Sequence, residues 1–600
     1  MKAVLLFFAL IFAPFSREGI SLDGEWPAIM DQYDKGIDKK MFTDAKPAGK
    51  TSFVEFSYEG GLRLKVPGDW NHQDASLWWY EGTIWYSKHF MATKKAGRRT
   101  VLYFSGVSQR CEVYLNGEYV TEHEGAFTPF EADITELIQE GDNFIAVRVD
   151  NKRSKEAIPA MSFDWWNYGG ITRNVMLLDV PEVYVKDAFL RLDDHSHETI
   201  KVDIELSEKT EGVPVIVSLP ELKVKKTLYT DSSGRVSGCI KARKLSLWSP
   251  ETPVLYDITI EAGEDRVSER IGFRDITVEG TKIILNGKPF FFKGISFHEE
   301  IPMERRRACS PEDAHVLVDA AIGLGCNAIR LAHYPQNEYI VRYAEEKGLL
   351  IWEEIPLWQG IDFSNEETYR KAETYLNEMI TRDKNRCSIG FWSISNETRP
   401  APDRDAFLSQ LLAYGRSLDH SRLFASAFDV AYYIPEVDEF RMEDAFAGEL
   451  DVIGINKYMG WYASWPKPAS ELKWNVFMDK PLIISEFGCE AKAGVTGHSD
   501  VASSWSEDYQ EALYRDNLTM FENIPNLAGV SPWILFDFLS PYRQHPVNQG
   551  WFNRKGLISD KGEKKKAWYV MNEYYKNNYA YETFSGCFGH HSLDGGSRLP

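Results

Sequence analysis

Two apolar runs in this chain end in a glutamate. One is Phe391-Trp392-Ser393-Ile394-Ser395-Asn396-Glu397, and the other is Leu482-Ile483-Ile484-Ser485-Glu486. In each, a strand-like run delivers a carboxylate, and turn-forming residues follow, Thr398 to Pro402 in one case and Gly488 in the other. Two carboxyls so delivered suit cleavage of a glycosidic bond. One protonates the leaving oxygen while the other attacks or stabilises an oxocarbenium-like centre. Retention of configuration needs them about 5–5.5 Å apart, the span between strands across a narrow barrel mouth. The two must also titrate apart, so their surroundings must differ. Asn396, beside Glu397, is placed to hold a sugar 2-hydroxyl. Tyr458, at the end of "VIGINKY", is placed to keep Glu486 ionised by donating a hydrogen bond.

Elements that position such a pair are legible around it. Over 280–578 apolar strands alternate with helical segments: "NAIRLAHY", "NEYIVRYAEEKG", "LLIWEEIP", "IGFWSISNE", "PLIISEFG" and "AGVSPWILFDF". Strand–helix alternation over that length predicts a (β/α)₈ barrel, which carries its chemistry at the C-terminal ends of its strands. Over 18–180 short alternating strands follow one another without helices, and Asn116-Gly117 between apolar runs marks a hairpin. That predicts a β-sandwich of jelly-roll type. Over 181–279 about seven shorter runs, such as "TIKVDIEL" and "LYDITIEA", predict an immunoglobulin-like sandwich. The fold class is therefore sandwich, sandwich, TIM barrel, with 579–600 an aperiodic tail.

Met1-Lys2, an apolar run from Ala3 to Ala13 and the segment Pro14 to Arg17 read as a signal peptide over 1–17. Removal of that peptide implies a periplasmic or secreted protein without a membrane anchor. The net charge of −21, from 68 basic and 89 acidic residues, argues against nucleic acid as a partner. The 7 cysteines show neither CxxC spacing nor pairing, so free thiols are expected, with no zinc site and no disulfide framework. No cofactor or metal is called for. Aromatic content of 14%, with 18 Trp, suits sugar stacking and large β cores alike. Self-association stays open.

"SLDGEW", "DWWNYGGITRNVML", "ISFHEE", "AIRLAHYP", "WSISNE" and "ISEFG" together resemble glycoside hydrolase family 2 across nearly the whole mature chain. The resemblance implies Glu397 as acid/base and Glu486 as nucleophile. Within the family the chain looks most like the β-glucuronidases, through Asn553-Arg554-Lys555-Gly556 and "INKYMGWY". In that subgroup an Asn-x-Lys motif recognises the uronic acid carboxylate. A cation and an amide two residues apart on a loop can converge on one anion. The resemblance adds Asp164, His333, Asn396, Tyr458, Tyr462 and Trp533 as sugar contacts. Asp164, in the "DWWNYGG" loop, would close the pocket beyond the terminal sugar and make the enzyme exo-acting.

Two departures bear on the substrate. The enteric type of the subgroup has Arg four residues before the motif Asn, where this chain has Gln549. One carboxylate contact is then missing unless Arg554 or Arg543 supplies it, which leaves room for galacturonate. The stretch from Glu354 to Met379 is also short, implying an open mouth suited to oligosaccharide ends. The leading expectation is a retaining exo-β-glucuronidase acting on carbohydrate with a terminal uronic acid. β-Galacturonidase or β-galactosidase are the alternatives within the family, and a non-catalytic carbohydrate-binding protein is the alternative outside it.

Overall fold

The computed structural model describes residues 9–10, 17–46, 49–52, 54–194, 196–476 and 478–577. Most of the expected leader at 1–17 and the whole tail at 579–600 lie outside the described residues. Arg17 is described, and it donates to Asp265 at 2.6 Å and to the Val185 carbonyl, so the folded protein uses this residue.

The first domain is two facing antiparallel sheets. One has six strands in the order Leu62–Val66, Gly24–Asp31, Thr83–Ala92, Gly141–Asp150, Arg110–Leu115 and Glu118–Glu124. The other centres on Val175–Pro181 and Arg98–Phe104. Trp26, Trp70, Ile84, Phe104 and Val147 fill the space between them. The Asn116-Gly117 hairpin joins two strands of the larger sheet, with φ of 54° and 87° at its two turn residues. Positive φ at both positions matches the twist of the flanking strands, which Asn-Gly tolerates best. The second domain has seven strands, three (Val185–Leu192, Thr199–Leu206, Arg235–Lys241) packed on four (Val224–Tyr229, Pro214–Leu219, Tyr256–Ala262, Asp265–Ile271).

The third domain is a closed parallel barrel. Its first strand is broken at Gly294-Ile295. Phe292–Lys293 pairs with the eighth strand, Leu527–Val530, and Ser296–Phe297 pairs with the second, Ala328–Leu331. The strands between run Leu350–Glu354, Ile389–Asn396, Leu423–Phe428, Val452–Asn456 and Leu482–Glu486. Every residue of the third to seventh strands is buried, as parallel strands covered on both faces require.

Local chemistry starts and stops the helices. Ser310 caps helix Pro311–Leu324 in a capping box with Asp313, and Gly325 ends it at φ 97°. Gly348 ends helix Glu338–Lys347 at φ 80°, where a Cβ would meet the Pro250 carbonyl at 2.3 Å. Only glycine allows that approach of the second domain to the barrel.

The alternation departs from a regular barrel after strands five and six. Among the described residues no α-helix follows either one, only the 3₁₀ turns Ala445–Glu449 and Ala469–Glu471. A small sheet stands there instead, built from Ala431–Ile434, Glu439–Met442 and Lys473–Asn475. The first domain is locked to the barrel by buried ions: Arg173 and Arg307 both donate to Glu299, at 2.8 and 3.0 Å. Among the described residues no helix is long and apolar enough to cross a membrane.

Candidate active site

The strand ends converge on a cleft of about 680 Å³ at the barrel mouth. Glu486 is the last residue of the seventh strand, and Glu397 directly follows the fourth, at φ 52°. Both line the cleft, together with Asp164, His333, Tyr458, Tyr462, Trp533 and Lys555. Eight of the ten residues expected from the sequence therefore meet in one place.

The two carboxylates have different partners. Glu486 accepts from Arg330 Nη1 at 2.7 Å on Oε1 and from the Tyr458 hydroxyl at 2.7 Å on Oε2. Glu397 accepts only from neutral amides, Asn456 at 2.8 Å and Gln359 at 2.9 Å. Asn456 also ties the pair together, because its Oδ1 accepts from Ser485, the neighbour of Glu486. Burial raises the Glu397 carboxyl above the usual range; the Asn456 and Gln359 amides oppose that, and the Asp429 charge adds to it. Burial raises Glu486 further, to about 8, against the pull of Arg330, and the Glu397 charge adds to the rise.

Titration and contacts thus point opposite ways for the proton that the pair retains. The contacts decide. A guanidinium and a phenol both donate to Glu486 and stabilise its anion, whereas Glu397 has no cation within hydrogen-bonding distance. These contacts favour the anion at Glu486 over the anion at Glu397.

Supporting contacts fix this arrangement. Arg330 is fully buried and also donates to Glu354, at 2.9 and 3.2 Å, and to Asn396 at 2.7 Å. His333 Nδ1 lies 2.8 Å from Glu354, and the His333 ring stacks on Trp533 with centroids 4.8 Å apart. Burial holds the His333 imidazole below its usual range, which favours the neutral ring. Asn396 lies behind the cleft wall rather than on it. Its Oδ1 accepts from Arg330 and Asn456, and its buried Nδ2 has no partner.

The far wall carries two cations, Lys555 and Arg543, beside the carboxylates of Asp164 and Glu490. Lys555 Nζ donates to the Tyr462 hydroxyl at 2.8 Å and lies 3.9 Å from Glu490. Arg543 grips Asp164, reaches Glu490 at 3.2 Å and faces the cleft. Burial pushes the Tyr462 phenol up, but the charges of Lys555 and Arg543 outweigh it and bring the phenol below its usual range. Asn553 does not share this wall. It is fully buried, donates to Asp164 at 3.4 Å, and accepts the Lys555 backbone N–H. It braces the loop because the short strand pair Phe538–Leu539 and Phe552–Asn553 turns it inward. Gln549 donates to both oxygens of Glu490. Arg554 is taken by Asp537 and Asp560, so of the two arginines only Arg543 faces the cleft.

Sequence reasoning missed Arg330, Glu354, Gln359, Asn456 and Glu490 as parts of this site, and named Arg543 only as a substitute for the arginine that Gln549 replaces. The signal for Arg330, Glu354 and Asn456 was available: each is a polar residue at or next to the end of an apolar barrel strand. Gln359 lies in the short stretch after Glu354, where its backbone N–H pairs with the Asn396 carbonyl at 3.0 Å. That stretch is a wall of the site as well as its rim. Among the described residues no group of three or more His, Cys, Asp and Glu could hold a metal ion, and the six described cysteines are free.

A two-sandwich chain on a barrel with two cleft-lining carboxyls at facing strand ends defines a glycoside hydrolase. Three profiles match in succession: the sugar binding domain of glycosyl hydrolases family 2 over residues 20–181, the central domain of that family over 183–274, and its TIM barrel domain over 276–578. The chain belongs to glycosyl hydrolases family 2. It is 26% identical to a β-glucuronidase of Paenibacillus borealis, over 93% of this chain and 98% of that one. It is 27% identical to the β-glucuronidase of Rattus norvegicus, over 93% and 91%. Among solved structures, a β-glucuronidase from an uncultured Clostridium sp. superposes with a TM-score of 0.79 at 26% identity, covering 96% of this chain and 100% of that one. A β-galacturonidase from Eisenbergiella tayi shares the fold, with a TM-score of 0.78 at 24% identity over 95% and 98%.

Proposed function

We propose that this protein is a retaining exo-β-glucuronidase. Glu486 attacks the anomeric carbon while Glu397 gives its proton to the leaving oxygen, so the C1–O bond breaks as the C1–Oε bond forms. Glu397, now ionised, takes a proton from water, which attacks C1 and releases the sugar with its configuration retained. Arg330 and Tyr458 favour the attacking carboxylate, while Glu397 accepts only from neutral amides and burial raises its carboxyl.

The observation that carries the uronide reading is the pair of cations on one wall. Lys555 and Arg543 converge on the Tyr462 hydroxyl beside Asp164. A neutral sugar has no use for two cations at one end, whereas a hexuronic carboxylate can take a charge-assisted hydrogen bond from each. The names of the relatives agree. The leader-like residues at the start of the chain support export to the periplasm or the medium.

Hydrolysis of p-nitrophenyl β-glucuronide, β-galacturonide and β-galactoside by wild type and by Lys555→Ala tests the reading. Glucuronide should be the best substrate, and the variant should lose activity on uronides alone. A galactoside cleaved as well as the glucuronide would overturn the proposal. Gln549, which turns to Glu490, favours galacturonide as the second reading, and the same panel separates the two. If wild type binds uronic sugars and cleaves none, the protein is a binding module.

A further inference from the structure

We infer that the small sheet after the fifth barrel strand forms a leaving-group subsite built for a second sugar. The inference rests on the uronidase reading above and says what lies on the other side of the scissile bond.

The order of the strands sets the direction of the cleft. Lys555 and Arg543 follow the eighth strand, while Glu397 follows the fourth, half a barrel away. A terminal uronosyl unit with its carboxylate on the first wall presents its glycosidic oxygen toward Glu397. The leaving group must then lie against whatever borders Glu397 beyond it.

That border is the small sheet. The Glu397 backbone N–H donates to the Ala427 carbonyl at 2.9 Å, so the acid abuts the end of strand five. The chain runs on through Asp429 into the hairpin Ala431–Ile434 and Glu439–Met442, which stands where a regular barrel has a helix. Asp429 and Tyr432 line the cleft with Gln359, and Tyr432 is 56% exposed. Lys457 holds the hairpin in place from below. Its ammonium donates to the Ala431 carbonyl at 2.7 Å and lies 4.9 Å from the centre of the Phe440 ring.

The chemistry of this wall is that of a sugar subsite. Tyr432 offers a ring face for the C–H face of a pyranose. The Asp429 carboxylate and the Gln359 amide can bond to hydroxyl groups. The whole cleft is also larger than one sugar ring fills.

The test compares two substrates with one glycone. A glucuronosyl β-linked disaccharide reaches the proposed subsite, whereas β-glucuronosyl fluoride has a one-atom leaving group that cannot. Replacing the exposed Tyr432 by Ala should lower the ratio of kcat/KM, disaccharide over fluoride, by roughly tenfold. Equal losses on both substrates, or no change in the ratio, would overturn the subsite. If wild type cleaves neither uronide, the uronidase reading falls first and the subsite with it.

Discussion

Arg330 Nη1 donates to Glu486 Oε1 at 2.7 Å, and both side chains are buried. The same guanidinium is the shared partner of Glu354 and Asn396, so one cation serves two carboxylates and the neighbour of the acid. Removing it leaves Glu486 beside Glu397 without a compensating charge. In Arg330→Gln the Glu486 carboxyl should then titrate higher, because the charged form has lost its nearest cation. The acidic limb of the kcat/KM profile reports that ionisation in the free enzyme, so it should move to higher pH. Stability should fall by about 3–5 kcal/mol, since two buried carboxylates lose their partner. A folded variant whose acidic limb stays in place would show that Arg330 does not set the charge on Glu486.

Glu397 is protonated in this scheme, and its loss should depend on the leaving group. Glu397→Ala should cost about 10²- to 10⁴-fold in kcat on a sugar leaving group, which needs a proton, and less on p-nitrophenolate, which does not. Azide should restore turnover of the aryl substrate, because a small anion fits where the carboxylate was and needs no base. The product configuration decides the mechanism. A β-glycosyl azide requires attack on a covalent intermediate, whereas an α-azide would mean that Glu486 forms no bond to C1.

Glu397 and Glu486 were legible because each ends an apolar run, and a barrel strand that ends in a carboxylate points it at the mouth. Tyr458 was legible for the same reason, two residues beyond the sixth strand. Arg330 has the same placement, but a charged residue within four buried strand positions gives no sign of the three partners that hold it there. Asn553 shows the limit of motif reading. Two residues of spacing puts Asn553 and Lys555 on one loop, but only packing decides which faces the cleft, and Asn553 is turned inward to Asp164. The sheet that replaces two helices leaves no periodic trace, since its strands are only three or four residues long.

Arg543 faces the cleft, whereas Gln549 turns to Glu490. Asp164 and Glu490 hold Arg543 at the cleft wall, and their charges outweigh the burial that opposes its own. Arg543→Gln should weaken uronide binding by the worth of a charged hydrogen bond, about 1.5–3 kcal/mol, read as a rise of roughly ten- to a hundredfold in KM. Any residual cleavage of a neutral glycoside should be spared that loss. A variant that loses both equally would mean that Arg543 only supports Asp164.

Glu300 ties pH to stability at the join between the first domain and the barrel. Its carboxyl is buried and accepts the Leu539 N–H at 2.9 Å. Burial pushes it from 4.5 to about 8, and the Leu539 N–H offsets the rise only in part. The folded chain therefore holds a proton here that the unfolded chain releases above the ordinary carboxyl range. Folding then binds protons across that window, so the contribution to stability is complete below the unfolded value and is lost as pH rises through the folded one. Glu300→Gln keeps the shape and removes the titration. Melting temperatures at about pH 5 and about pH 9 should show the variant gaining on wild type as pH rises. A constant difference at both would mean that Glu300 keeps the same charge in the folded and unfolded chain, and that another group carries any alkaline loss of stability.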